Sequence, residues 1–333
     1  MKKKIIAASS EYGSFNLLYP VFKECKRNYE IDYIGIVPEN FNHSFFNKYY
    51  KITEQHKIYK KKYVLFLSGA GILNQLEREI RNKLELPEIN FLDQLKNVKE
   101  RYLPNNKNKM PDYICVSNRE MKSLVSKCLE FDYRKIYAIG FPQLSEQKIL
   151  KNKIQLKKKF KIDENIKIVT LCTEYIKKNN DYNKYGFDEI EIIELLKKYL
   201  SSFNFNTVLI IRIHPSDSKN IYSKIIDSEK IKILICEGDK EKYILQISDL
   251  VIGFSSIILI ESVILGLTTV SYQKKIKYDF IEYPVNMRPK ICHSINELYS
   301  EVEYSLNIDR KKTKPKTIKY NIKKVMELIN EIV

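Results

Sequence analysis

The sequence predicts an α/β protein made of two doubly wound halves, and three observations carry that prediction. Strand-like and helix-like hydrophobic patterns alternate along the chain, the signature of βαβ units and parallel sheets. The alternation pauses in a polar, lysine-rich stretch over 146–162 and then restarts. The length of 333 residues also exceeds what one hydrophobic core usually organises, so two domains of roughly 150 residues each are expected.

In the first half, residues 4–8, 31–36, 63–67, 89–92, 113–116 and 136–139 read as strands, with helices over 16–26, 72–83 and 118–129. These define a first domain over 1–145, and the stretch 146–162 reads as a linker. In the second half, 166–172, 207–213, 231–236, 250–252 and 268–272 read as strands, and 188–203, 240–247 and 256–265 as helices. That gives a second domain over 163–315. The tail reads as helices over 295–306 and 318–333, and the segment 316–333 is free to pack back on the first domain. In open parallel sheets, ligands bind beyond the C-terminal ends of the strands, so the loops there are the ones to inspect.

Composition narrows the function classes. No apolar run approaches the ~20 residues that span a bilayer. The basic start and short apolar stretch at 1–10 are too brief for a signal peptide and read as a first strand, so a cytoplasmic location is expected. The six cysteines form no close pairs, which argues for buried thiols over disulfides or zinc. The four histidines lack ligand spacing, so no metal and no resident cofactor are expected. The net charge of +17 has two readings: lysine bias on solvated faces, or a footprint for an anionic partner. Basic runs at 57–62, 151–161 and 311–324 lack a nucleic-acid-binding motif, which favours an acidic substrate or peripheral contact with a membrane surface.

The strongest constellation lies in the second half. The strand 207–213 delivers His214 to its C-terminal end, and Pro215 fixes the exit direction. A later strand ends at Gly253, Ser255 and Ser256, immediately before a helix; serine hydroxyls and free N–H groups there form an anion site. Glu261 follows about one and a half turns into that helix, and Gly266 suits its C-terminal cap. Alone, either set is explained by capping or by the end of a strand. Together, at the ligand-binding edge, they point to a phosphate.

The pairing of His214-Pro215 with Ser255-Ser256, then Glu261 and a Gly-then-strand segment, resembles bacterial GT-B glycosyltransferases that build capsules and surface polysaccharides. These are the polysialyltransferases, the capsular Kdo transferases and, more loosely, the polyol-phosphate polymerases of teichoic acid synthesis. The resemblance covers residues 205–275. It implies a GT-B fold, with two Rossmann-like domains facing across a cleft. It further implies metal-independent transfer of an acidic sugar, a sialic-acid-like nonulosonate or Kdo, from a CMP-activated nucleotide-sugar donor to a glycan or lipid-linked acceptor. His214 would then donate to the leaving phosphate, Ser255 and Ser256 would hold its other oxygens, and Glu261 would sit near the ribose. Thr173, at the end of the strand 166–172, would bond a phosphate, and Tyr272 and Gln273 would lie over the nucleotide.

In the first half, Gly13 permits a tight turn after the strand 4–8 and Ser14 suits a helix cap. The resemblance places this loop at the acceptor, with Tyr12, Gly13 and Ser14 as contacts and Glu11 as a candidate base. The loop Ser68-Gly69-Ala70-Gly71 lets either a substrate or a helix approach the backbone at Gly69 and Gly71. Asp93 suits a helix cap or a base. The Glu-Asp-Gly base motif of polysialyltransferases is missing, so the base stays open among Glu11, Asp93 and Glu174. Two other readings share the fold: a UDP-sugar 2-epimerase or hydrolase, and a non-catalytic nucleotide- or glycan-binding protein.

Overall fold

The structure, a computed structural model, describes residues 2–38, 41–71, 75–92, 94–95, 97–103, 109–142, 153–215, 217–237, 244–281, 283–307 and 320–333. The chain divides into two compact units. Unit 1 comprises Met1–Glu146, Ile281–Tyr283 and Ile318–Val333, and unit 2 comprises Gln147–Phe280 and Pro284–Thr317.

Unit 1 holds seven strands: β1 (Lys4–Ser9), β2 (Glu30–Gly35), β3 (Lys48–Tyr50), β4 (Leu65–Gly69), β5 (Glu88–Phe91), β6 (Tyr113–Val116) and β7 (Ile136–Ala138). They form one sheet in the order β3-β2-β1-β4-β5-β6-β7, and every pairing is parallel. The described helices are α1 (Tyr12–Cys25), α2 (Gln75–Leu84), α3 (Val98–Tyr102) and α4 (Arg119–Leu129). Unit 2 holds α5 (Lys153–Lys159), α6 (Tyr182–Tyr185), α7 (Glu189–Leu200), α8 (Ile257–Ile264) and α9 (Ile295–Asn307). The last helix, α10 (Ile322–Ile332), belongs to unit 1.

Unit 2 repeats the plan with β8 (Lys167–Cys172), β9 (Thr207–Ile213), β10 (Ile231–Glu237), β11 (Leu250–Gly253), β12 (Thr269–Tyr272) and β13 (Lys290–Cys292). Its parallel sheet runs β10-β9-β8-β11-β12-β13. In both sheets the order reverses once, beside β1 in unit 1 and beside β8 in unit 2. Loops leaving neighbouring strands diverge at such a reversal and open a crevice. Thus the crevice of unit 1 lies beyond β1 and β4, and that of unit 2 beyond β8 and β11.

Strand burial explains why hydrophobic runs, rather than alternation, mark these sheets. In β1, Ile5 and Ala7 join the core under α1 and α10, while Ile6 and Ala8 join the core on the opposite face with Leu76 and Ile80 of α2. Unit 2 buries Val169, Leu171, Leu209, Ile211 and Ile252 with Ile193 and Leu196 of α7 and Leu298 and Val302 of α9. Burying each such side chain contributes about 1.5–3 kcal/mol. The helix α10 docks through Val325, Leu328 and Ile329, and Tyr29 donates to Asn330 at 2.7 Å.

Several sequence expectations change. The strands β3 and β13 are three-residue edge strands with no hydrophobic run of their own to reveal them. Consequently β12 is not the last strand of its sheet. The expected helix over 240–247 is a 3-10 turn at Ile244–Ile247 among the described residues. Of the expected linker, residues 153–159 are helix α5, while 146–152 lie outside the described residues. Among the described residues, no helix is long and apolar enough to cross a membrane.

The largest correction is at α1, which begins at Tyr12, four residues before its expected start, with Glu11 as N-cap. Gly13 and Ser14 are therefore within its first turn and make neither a separate tight turn nor a cap. Their small size serves packing. Ser14 is buried against Gly69, where an added Cβ would stand 2.3 Å from the Ser14 Cβ. We expect Gly69→Ala to destabilise unit 1 by roughly 1–3 kcal/mol in urea unfolding, the usual cost of overpacking. Adding Ser14→Gly should recover part of that loss, and additive costs in the double variant would disprove the contact.

Candidate functional site

The crevice of unit 2 is assembled by backbone register. Cys172 pairs with Arg212, and Leu171 with Ile252, so residues 173–174, 214 and 253–256 all leave the sheet at one level. The Thr173 N–H donates to the Arg212 carbonyl at 3.0 Å, and the His214 N–H donates to the Thr173 hydroxyl at 3.0 Å. Thr173 is buried, so the hydroxyl serves as a clasp between the two strand ends. Past Pro215, which is exposed, the Asp217 N–H returns to the His214 carbonyl at 2.9 Å and closes a turn. The His214 ring is part-buried and leans on Tyr175, with ring centroids 4.7 Å apart.

Burial pushes the His214 imidazole down to about 4; Glu174 pulls it up, Arg212 pushes it down, and Asp217 and Lys178 add smaller opposing effects. At neutral pH it is an uncharged ring with one N–H to donate. The Cys172 thiol beneath is pushed up to about 11 by burial, with Arg212 opposing and Glu261 and Glu174 reinforcing. It is no nucleophile.

At the other wall, Ser256 is the N-cap of α8, its hydroxyl accepting the Ile258 N–H at 3.5 Å. Gly253 packs under Leu259, where an added Cβ would meet the Leu259 Cδ2 at 2.8 Å. Glu261 is part-buried on the same helix. Ser255 is engaged differently from its expected role. It is buried, its N–H donates to Glu174 Oε1, and its hydroxyl donates to Glu174 Oε2 at 2.8 Å. Tyr185 adds a hydroxyl to the same Oε2 at 3.2 Å.

Three candidates are thus engaged otherwise than as open ligands. Glu174 is a buried, hydrogen-bonded carboxylate instead of an open base. Ser255 spends both donors on it. Tyr272 is 3% exposed, with its ring 5.0 Å from that of Phe187, so it fills the core of unit 2 rather than covering a nucleotide. Its neighbour Gln273 is also buried, bonded to Ser271 and Tyr278.

In unit 1, Glu11 stands at the C-terminal edge of β1, part-buried, with its carboxyl against Gly71. A Cβ at Gly71 would lie 2.8 Å from that carboxyl, and one at Gly69 would strike Ser14. The space above both glycines is thus filled by α1 and its cap, which corrects their assignment as acceptor contacts. Tyr12 is part-buried and Gly13 exposed beside Glu11. Asp93 lies outside the described residues.

Sequence reasoning missed Glu77. It is fully buried in α2 and accepts the Ser10 N–H at 2.7 Å and the Ser10 hydroxyl at 2.9 and 3.0 Å. This clamp holds the β1–α1 loop that presents Glu11. Burial pushes the Glu77 carboxyl up to about 7, the Ser10 hydrogen bonds restrain the rise, and Glu11 adds to it. Neither Glu77 nor Tyr185 carries a motif; each contact is made across the fold.

Two open parallel sheets of Rossmann-like order, with a histidine and a serine-capped helix at one reversal point, define an α/β protein of the GT-B type. More than half of the chain, residues 92–321, matches the family "CDP-Glycerol:Poly(glycerophosphate) glycerophosphotransferase", and the chain belongs to that family. Solved structures agree on the fold. The UDP-GlcNAc 2-epimerase of Methanocaldococcus jannaschii, in complex with UDP-GlcNAc and UDP, is similar at 16% identity and TM-score 0.67, over 99% of this chain and 100% of that one. A putative UDP-N-acetylglucosamine 2-epimerase from Listeria monocytogenes is similar at 10% identity and TM-score 0.70, over 99% and 96%. The wall teichoic acid polymerase TagF, soaked with CDPG, is similar at 13% identity and TM-score 0.55, over 99% and 88%. No curated protein sequence matches the chain.

The Glu77 carboxyl gives a signed pH prediction. Its proton is held more tightly folded than unfolded, so its contribution is present below about pH 4.5 and is lost as pH rises through about 7. Between pH 5 and 8, wild-type unit 1 should lose roughly 1–3 kcal/mol relative to Glu77→Gln in urea unfolding. Parallel pH profiles for the two proteins would refute the burial of a titrating acid at this clamp.

Proposed function

We propose that the chain transfers a polyol phosphate, or a related group, from a cytidine-nucleotide donor to a hydroxyl of a surface-polymer acceptor. The observation that carries the reading is the convergence of His214 and the N-terminus of α8 at the reversal point of unit 2, within a chain of the glycerophosphotransferase family. The donor's phosphate would lie between the His214 ring and Ser256, with Glu261 toward the ribose.

With a CDP-linked polyol, the acceptor oxygen attacks the phosphorus that bears the polyol. The new O–P bond forms as the bond to the bridging oxygen breaks. The electron pair departs with CMP, and the acceptor proton passes to a carboxylate. Of the three base candidates Glu11 is the one carried forward, because Glu174 is buried in hydrogen bonds whereas Glu11 is only part-buried at its strand end. The uncharged His214 donates its single N–H to the leaving phosphate, and the N–H groups of α8 stabilise the growing charge. This chemistry calls on no resident metal or cofactor.

A CMP-activated acidic sugar would use the same pocket and release the same CMP, with a C–O bond breaking instead of P–O. The family favours the CDP-linked donor. The acceptor reading, a glycan or lipid-linked polymer, also gives the basic runs a partner, an anionic polymer or membrane surface.

The test is CMP release from CDP-glycerol or a CMP-sugar, together with thermal stabilisation by nucleotides. CMP and CDP should raise Tm and UDP should not; the reverse order would favour the epimerase reading. His214→Ala should lower kcat by roughly 100-fold or more, the scale of losing one donor to a developing charge. Glu11→Gln should lower kcat comparably with CMP affinity retained. Unchanged turnover in Glu11→Gln would remove it as the base.

A further inference from the structure

In the unit 2 crevice, one side chain stands where the donor's phosphate is expected. Glu174 reaches from the end of β8 across the reversal point to Ser255, a residue 81 positions away. Its two oxygens take the Ser255 N–H and hydroxyl, the hydroxyl at 2.8 Å, and Oε2 also takes the Tyr185 hydroxyl at 3.2 Å. Ser255 directly precedes the N-cap of α8, so a phosphate drawn to that helix end meets donors already committed to a carboxylate.

Helix capping does not account for this arrangement. The helix has its own cap in Ser256, whose hydroxyl serves the Ile258 N–H. The Ser255 N–H and hydroxyl are buried, and a buried donor without an acceptor is costly, so some anion or acceptor must serve them whether or not a donor is bound. Carboxylate and phosphate both accept charge-assisted hydrogen bonds of this kind. The two anions repel each other, and one N–H cannot serve both.

We propose that Glu174 is a displaceable stand-in for the donor's phosphate. It satisfies Ser255 in the empty site, competes with the nucleotide's phosphate for the same donors, and so sets donor affinity and favours release of CMP after transfer. This rests on the donor-site reading above. It also makes Glu174 a positioning and affinity-setting residue, distinct from the base for which it was one of three candidates. Tyr185 acts through it, biasing the carboxylate toward Ser255.

The experiment is calorimetric titration of the full chain with CMP and with cytidine, which lacks the phosphate. Glu174→Gln keeps the size and one acceptor but removes the charge, and should bind CMP roughly tenfold tighter, the equivalent of one charge-assisted hydrogen bond no longer contested. Tyr185→Phe leaves charge and serine untouched and should bind CMP a few-fold tighter. Neither should change cytidine affinity. Unchanged or weaker CMP binding in Glu174→Gln would make Glu174 a fixed support for Ser255 and overturn the proposal. Should that variant not fold, unchanged or weaker CMP binding by Tyr185→Phe overturns it equally. A wild-type chain that fails to bind CMP, or binds it equally well as His214→Ala, overturns the donor-site reading itself and the proposal with it.

Discussion

Parallel register is the constraint on which the rest of this protein depends. Two strands that run side by side in the same direction end side by side, and the side chains just past their ends are delivered together however far apart they lie in sequence. Here β8 is paired on one flank with β9 and on the other with β11. That single fact brings Thr173, Glu174, His214 and Ser255 to one crevice from three chain segments. A one-residue slip in either pairing would turn every side chain of the strand to the opposite face and dissolve the group. The hydrophobic strands, buried on both faces, prevent the slip, so the core under α7 and α9 is also what aims the site.

The two units solve the same local problem in the same way. At each reversal point a buried glutamate accepts both the backbone N–H and the hydroxyl of a serine: Glu77 from Ser10 in unit 1, and Glu174 from Ser255 in unit 2. In a dry setting each carboxylate requires such donors to offset lost hydration, and each serine requires an acceptor. Their surroundings then separate them. Glu77 lies near Glu11 and its carboxyl is pushed up, while Glu174 lies near the His214 ring and takes a further hydrogen bond from Tyr185. The first is suited to holding a loop. The second lies where the donor reading puts another anion.

Much of this was legible in the sequence, for reasons that can be named. Long buried strands such as β8 and β9 show as apolar runs, and α7 shows by its period and its Asp188 cap, which accepts the Glu191 N–H. His214 and Ser255-Ser256 were readable because a proline and a capped helix mark strand ends. Edge strands β3 and β13 were not, since three residues paired on one side need no apolar run. The start of α1 was misread because Gly13 and Ser14 are turn and cap residues by local propensity. The close approach of α1 to β4, through Ser14 and Gly69, overrides that propensity. The partners of Glu174 and Glu77 were invisible because a contact across the fold leaves no trace in spacing.

The uncharged state of His214 bears on which chemistry the crevice can support. A permanently charged imidazolium would attract any phosphate and hold the product as firmly as the substrate. A ring pushed down to about 4 by burial offers, on the proposed reading, one directed N–H whose value would grow as negative charge gathers on the departing oxygen. Both proposed donors would lose the same CMP, so such selectivity for the leaving group would be indifferent to whether a P–O or a C–O bond breaks. Discrimination between them must come from the groups that meet the transferred moiety.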